Sequence, residues 1–342
     1  MSKISVIIPA YNAAETINDC LTAVSKQKDV DLELIVINDG STDDTVAKIT
    51  AFSASAPFPV KLHSIVNCGP AGARNAGIAL ADGEYICFID ADDTIEPEML
   101  KIMLQEAENS GAEWVIADFN LIAGEENRRQ NVFMGEKDTL YKADELPVVI
   151  ANYLDTPRGA SFFTNIWGKL YKTSIIKKQN IKFDTSLQTW EDTVFNCNYV
   201  SEISSIKYIR KHLYNYQVNP GQNSTGGKLF LQPFGHRKVT DVLKRSLNKY
   251  HWENDKINAL IQRAEAYFIV KNLLVAAALV RDKKNSAAEL TGLINTYTGD
   301  RNTVGLLSDY RWRKGESLLI PLLLRLKLKK MLFSICMRKV GK

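Results

Sequence analysis

The first 120 residues alternate between apolar runs and amphipathic stretches. Apolar runs at residues 4–8, 32–37, 60–65, 85–89 and 114–118 have the length and composition of buried strands. Helical spacing fills the gaps at 14–28, 43–55, 71–80 and 97–111. Ser41 and Asp44 have capping-box spacing ahead of the second helix, and Gly111 is placed to stop the fourth. This βαβα order predicts a mostly parallel sheet covered by helices on both faces. Ligands of such sheets bind beyond the carboxyl ends of the strands.

From about residue 121 the alternation stops. Residues 124–138 are polar and predict a loop, and residues 145–230 mix short helices, possible strands and aromatic side chains. From Phe230 the pattern is helical, with Ile257, Leu260, Ile261, Ala264, Phe268 and Leu274 at core-facing spacing. The reading divides the chain at 1–120, 121–229 and 230–342. In the last part, apolar runs at 317–324 and 331–337 flank Arg325, Lys327, Lys329 and Lys330. Neither run approaches the roughly 18–20 residues that span a bilayer. A basic amphipathic tail suits an anionic membrane surface; a helix docked on its own domain, lysines outward, is the competing reading.

Composition changes this picture little: 45% hydrophobic and 24% charged residues describe a folded chain. The net charge of +4 hides an asymmetry. From Arg311 onward there are ten Lys/Arg and one acid, Glu316, so residues 1–310 carry 33 basic and 38 acidic side chains. The basic character belongs to the tail, and nucleic acid is not an expected partner. Five cysteines without Cys-x-x-Cys spacing and only four histidines argue against zinc and for a reducing cytoplasm. Met1-Ser2-Lys3 leads straight into a strand, which predicts no signal peptide.

The chemistry concentrates at strand ends. Ile86-Cys87-Phe88-Ile89 runs into Asp90-Ala91-Asp92-Asp93, and three crowded carboxylates repel unless a hard divalent cation gathers them. A solvated acidic turn is the bland alternative. The first strand ends at Pro9-Ala10-Tyr11-Asn12 and the second at Asn38-Asp39-Gly40-Ser41. Asp39 can accept from a base or ribose, with Gly40 letting the backbone approach; capping the following helix competes with that role. Residues 67–77, with Gly69, Gly72, Arg74 and Gly77, read as a glycine-bearing turn into a helix. The first turn contains no glycine, which disfavours a dinucleotide-binding Rossmann domain and a nucleotide-sugar pyrophosphorylase.

Together these segments resemble the family-2 glycosyltransferases of the GT-A fold. Val6-Ile7-Ile8-Pro9-Ala10-Tyr11-Asn12, Val36-Ile37-Asn38-Asp39-Gly40-Ser41-Thr42-Asp43, Gly72-Ala73-Arg74-Asn75 with Gly77, and Asp90-Ala91-Asp92-Asp93 occur in the family's order. Trp167-Gly168-Lys169-Leu170-Tyr171 and Glu191-Asp192 extend the likeness to about residue 225. The resemblance implies a Rossmann-like, mostly parallel sheet flanked by helices, and transfer of a sugar from a nucleoside diphosphate with inversion. It places Pro9, Tyr11, Asn12, Asp39, Gly40 and Arg74 on the uridine side. It places Asp90 on ribose or metal, Asp92 on Mn²⁺ or Mg²⁺, and Asp192, with Glu191 beside it, at the catalytic base. Asp93 reads as a support for the turn. Trp190 either stacks on an acceptor sugar or lies in a core. Lys169 touches phosphate or lies on the surface. His212 is a minor metal candidate, and the loop around Ser224 closes over the diphosphate or is only a turn.

The expected activity is an inverting β-glycosyltransferase at the cytoplasmic face of a membrane. It moves glucose or galactose from a UDP-sugar to a polyprenyl-diphosphate-linked GlcNAc or GalNAc acceptor, in O-antigen or capsule synthesis. A processive polysaccharide synthase is disfavoured: Arg311-Trp312 is present, but Ser308 stands where that motif carries Gln. A non-catalytic sugar-nucleotide binder or assembly scaffold is the alternative from another class.

Overall fold

A computed structural model describes residues 2–124, 126–131, 137–157, 161–218, 232–308, 317 and 319–340. By internal packing the chain divides into two units. The first comprises residues 1–146, 159–186 and 191–220; the second comprises 147–158, 187–190 and 221–342.

The first unit begins β1 (Ile4–Ala10), α1 (Ile17–Ser25), β2 (Leu32–Asn38), α2 (Thr45–Ser53), β3 (Val60–Ser64), α3 (Gly69–Leu80) and β4 (Tyr85–Phe88). It continues with β5 (Thr94–Ile95), α4 (Met99–Ser110), β6 (Trp114–Ala123), β7 (Glu126–Gln130) and β8 (Thr139–Lys142). Helix α5 (Leu146–Asp155) lies mostly in the second unit. Then come β9 (Lys169–Lys172), α6 (Thr173–Lys178), α7 (Glu191–Val200) and β10 (Ser205–Gln217). Among the described residues these strands form one mixed sheet in the order β3-β2-β1-β4-β9-β6-β10-β5, with β7 on β6 and β8 on β10.

All five strands expected from apolar runs are present. β2 is buried at every position, as its Leu-Glu-Leu-Ile-Val-Ile-Asn run requires of a strand covered on both faces. Gly111 stops α4 in the left-handed conformation at φ +67. The sheet is less parallel than expected. β3, β2, β1 and β4 pair in parallel, but β9 enters antiparallel between β4 and β6. Within the expected loop at 124–138, residues 126–130 form β7, a strand of Glu-Asn-Arg-Arg-Gln. It carries no apolar signal because backbone pairing with β6, Phe119 opposite Gln130 through Ala123 opposite Glu126, holds it. The capping box expected at Ser41 and Asp44 is absent. Asp43 caps α2 instead, accepting from the Thr45 N–H at 3.1 Å and the Thr45 hydroxyl at 2.5 Å.

The second unit is helical: α8 (His236–Lys249), α9 (Asn254–Arg281), α10 (Ala287–Gly299), α11 (Arg301–Ser308), α12 (Leu319–Arg325) and α13 (Lys329–Val340). Its core gathers Ile269, Leu273 and Ala277 of α9 with Leu290 and Ile294 of α10, Ile320 and Leu324 of α12, and Leu332 and Cys336 of α13. A complete capping box starts α10, where Ser286 and Glu289 bond each other's backbone N–H. No helix among the described residues is long and apolar enough to cross a membrane.

Candidate active site

β1, β2 and β4 run parallel, so their carboxyl ends open on one edge of the sheet. The first two ends are tied together. Asn12, in the left-handed region at φ 46 that Asn tolerates, donates its N–H to Ser41 Oγ at 3.0 Å. Its side-chain oxygen accepts the Thr42 N–H at 2.9 Å. Tyr11 stands half exposed beside this junction. Gly40 has φ +77, and a Cβ there would press on the backbone nitrogen of Asn67 at 3.1 Å. Only glycine fits that approach comfortably.

Asp39 is buried, and its two oxygens accept the backbone N–H groups of Cys68 at 2.8 Å and Gly69 at 2.9 Å. The carboxylate therefore caps α3, not the helix that follows Ser41. The glycine-bearing turn is thus fastened to the end of β2. Behind it, a Cβ on Gly77 would overlap Ile7, so α3 packs directly on β1.

This placement sends Arg74 inward. The side chain is 5% exposed, and its two terminal nitrogens reach Asp90 Oδ1 and Asp192 Oδ1, each at 2.8 Å. The guanidinium thus reaches a carboxylate 118 positions away in sequence. Burial works against the charge of Arg74, but Asp192 and Asp90 outweigh it and keep the group cationic. Its Nε is buried without a hydrogen-bond partner among the described residues. Burial raises the pKa of Asp192; Arg74 opposes this, while Glu191 and Asp90 add to it, and the result is about 7. A carboxyl group with that value can take a proton near neutral pH.

The three acids after Ile89 have different surroundings. Asp93 is fully buried and accepts the Tyr214 hydroxyl at 2.6 Å and the Gln217 N–H at 2.7 Å. Tyr214 also accepts the Asp90 N–H at 3.2 Å and stacks on Trp167 at 4.4 Å. Asp93 thereby anchors the turn to β10. Asp90 and Asp92 remain partly open. Burial, and then the neighbouring Asp90, raises the pKa of Asp92, while Asp90 is paired with Arg74. Among the described residues no three His, Cys, Asp or Glu side chains form a ready metal cage. Two carboxylates completed by phosphate oxygens would suit Mg²⁺ or Mn²⁺.

Lys169 is 1% exposed, which corrects the surface reading. Its ammonium donates to the carbonyls of Asn165 and, at 3.3 Å, Trp167. Asn165 O also accepts from Asn196 at 2.8 Å, and Asn196 accepts the Tyr171 hydroxyl at 2.7 Å. Asn196 lies four residues after Asp192 on α7, the same helix face, so this network fixes the rotation of the helix carrying Asp192. Burial lowers the pKa of Lys169 to about 7, against the pull of Asp192. From about pH 7 to about pH 10.4 the unfolded chain holds a proton that the folded chain has lost, so stability rises with pH. Urea denaturation at pH values near both ends is expected to show the protein gaining stability relative to Lys169→Met as pH rises. A flat difference would show that Lys169 stays fully charged in the fold.

The remaining candidates are placed as follows. Glu191 precedes Asp192 in the first turn of α7. Trp190, partly buried, packs on Phe268 at 4.9 Å and beside His236 at 6.1 Å in the second unit. His212 meets Asn131 at 3.2 Å, and the charges acting on it are Asp118, Arg129 and Arg210, not Asp90 or Asp92. The Ser224 loop and Arg311-Trp312 lie outside the described residues. Sequence reasoning missed Asn196 and Tyr214. The i, i+4 spacing of Asp192 and Asn196 was the one available signal for the former.

Comparison with known proteins bears on the family and the fold. The family model described as glycosyl transferase family 2 matches residues 5–177. The uncharacterized glycosyltransferase EpsJ of Bacillus subtilis is 28% identical over 64% of this chain and 61% of its own length. The uncharacterized glycosyltransferase YibD of Escherichia coli is 29% identical over 73% of this chain and 72% of its own. Among solved structures, S. aureus TarS 1–349 in complex with UDP superposes with a TM-score of 0.67 at 19% identity, covering 99% of this chain and 92% of that one. The last likeness establishes the shared fold. The family model covers half of the chain, and with it the chain belongs to glycosyl transferase family 2.

Proposed function

We propose that the protein is an inverting β-glycosyltransferase that moves glucose or galactose from a UDP-sugar to a polyprenyl-diphosphate-linked GlcNAc or GalNAc acceptor. The observation that carries the reading is the buried Arg74 bridge, which brings Asp90 of the donor edge and Asp192 of α7 into one site. A structure of TarS 1–349 in complex with UDP-GlcNAc, at a TM-score of 0.68, supports a nucleotide-sugar donor.

Residues 1–120 hold the donor and residues 121–229 the acceptor and base. Pro9, Tyr11, Asn12, Asp39 and Gly40 line the uridine side together with Arg74. Asp90 and Asp92 would hold Mn²⁺ or Mg²⁺, and the bound ion would supply positive charge to the departing diphosphate. Asp192 accepts the proton of the acceptor hydroxyl as that oxygen bonds to the anomeric carbon and the bond to UDP breaks. One displacement needs one base and forms no covalent intermediate. O-antigen or capsule assembly at the cytoplasmic face is the setting, with the chain peripheral on an anionic membrane through its basic C-terminal segment.

Incubation with Mn²⁺, a panel of UDP-sugars and synthetic GlcNAc- and GalNAc-diphosphate lipids is expected to give one product whose mass is raised by a hexose. Binding of UDP-sugars without product or UDP release from any of them would favour a non-catalytic binder.

A further inference from the structure

The apolar faces of α12 and α13 are spent inside the second unit: Ile320, Leu323, Leu324, Leu332 and Cys336 are buried. Neither helix can therefore lay its main apolar stripe on a membrane. The turn between them is different. Leu326 is 52% exposed, Leu328 41% and Met331 55%, and Arg325, Lys327, Lys329 and Lys330 are all exposed among them. Seven consecutive residues, 325–331, thus face solvent with apolar and cationic side chains interleaved and no acid among them. Leu322, 40% exposed, extends the apolar surface back along α12.

The turn is also built rigidly. Leu328 N–H donates to Leu323 O and Lys327 N–H to Leu324 O, each at 3.0 Å, and Lys327 is left-handed at φ 55. These two bonds are the Schellman closure of a helix end, with lysine where glycine is usual. The leucines are held outward by backbone geometry, not displaced from a core.

We propose that residues 325–331 form a membrane-contact elbow, seating Leu326, Leu328 and Met331 among the lipids of an anionic bilayer with the neighbouring cations at headgroup level. Charge selects the occupant: four cations around an apolar tip match acidic headgroups over acyl chains. Contact with a bilayer needs neither donor nor acceptor, so its test is separate from that of the transferase reading, which supplies the expectation of a membrane-borne acceptor.

The test is sedimentation of the full chain with vesicles of phosphatidylcholine, with and without phosphatidylglycerol. The protein is expected to bind only the anionic vesicles. The double variant Leu326→Ser/Leu328→Ser is expected to bind about tenfold more weakly while remaining folded with a cooperative thermal transition, because about half of each side chain already lies in solvent. Lys327→Ala/Lys330→Ala is expected to weaken binding by about tenfold or more. Absence of binding to anionic vesicles would overturn the elbow. So would a leucine variant that binds as well as the parent, since charge alone would then hold the protein. A lipid-independent dimer that the leucine variant abolishes would instead make a second copy the occupant.

Discussion

Replacing Asp192 by Asn is expected to lower kcat/KM for sugar transfer by about 10³-fold, within the range of about 10²–10⁴ for loss of a general base. The amide keeps the shape and one acceptor oxygen toward Arg74 but cannot take a proton. UDP binding, measured by calorimetry, is expected to change little, because the proposed uridine contacts come mainly from the ends of β1 and β2 and not from α7. The parent should lose kcat/KM as pH falls through about 7, since burial raises the Asp192 carboxyl to that range and only its ionised form is a base. The variant's residual activity should lack this acid limb. Equal turnover of parent and variant would place the base elsewhere.

Replacing Arg74 by Met is expected to destabilise the protein by about 3 kcal/mol and to abolish transfer. Removing one member of a buried ion pair costs roughly 3–5 kcal/mol; the lower end applies because Asp90 and Asp192 keep 27% and 19% of their side-chain exposure. Arg74→Lys is expected to recover little, since one ammonium cannot span two carboxylates as a planar guanidinium does. Chemical denaturation measures the first effect. If stability recovers with Lys but transfer does not, the bridge matters for positioning Asp192 and not only for the fold.

How much of this was legible in the sequence follows from what each element depends on. The strands through Ile35, Cys87 and Val115 announce themselves because burial on both faces demands continuous apolar residues. Strand β7 does not, because its five polar residues are held by backbone pairing alone. The acids at Asp90, Asp92 and Asp192 stood out by motif, yet the connection of Asp90 to Asp192 through Arg74 did not. A salt bridge across 118 residues leaves no periodic trace. Asp39 drew attention as a lone acid at a strand end, but only three-dimensional proximity reveals that it fastens the Cys68–Gly69 turn. Lys169 looked like a surface residue by type; the carbonyls of Asn165 and Trp167 that admit it to the interior carry no side-chain signature. The elbow at Leu326 and Leu328 was visible as basic and apolar residues, but which apolar residues remain outside required the packing of α12 and α13.

The most direct measurement of the central claim is the anomeric configuration of the product formed from an α-linked UDP-sugar, read from the proton coupling of the new glycosidic linkage by NMR. A site with one base at Asp192 and no covalent intermediate predicts a β-linkage. An α-linkage would mean that configuration is retained and would contradict a single displacement assisted by Asp192.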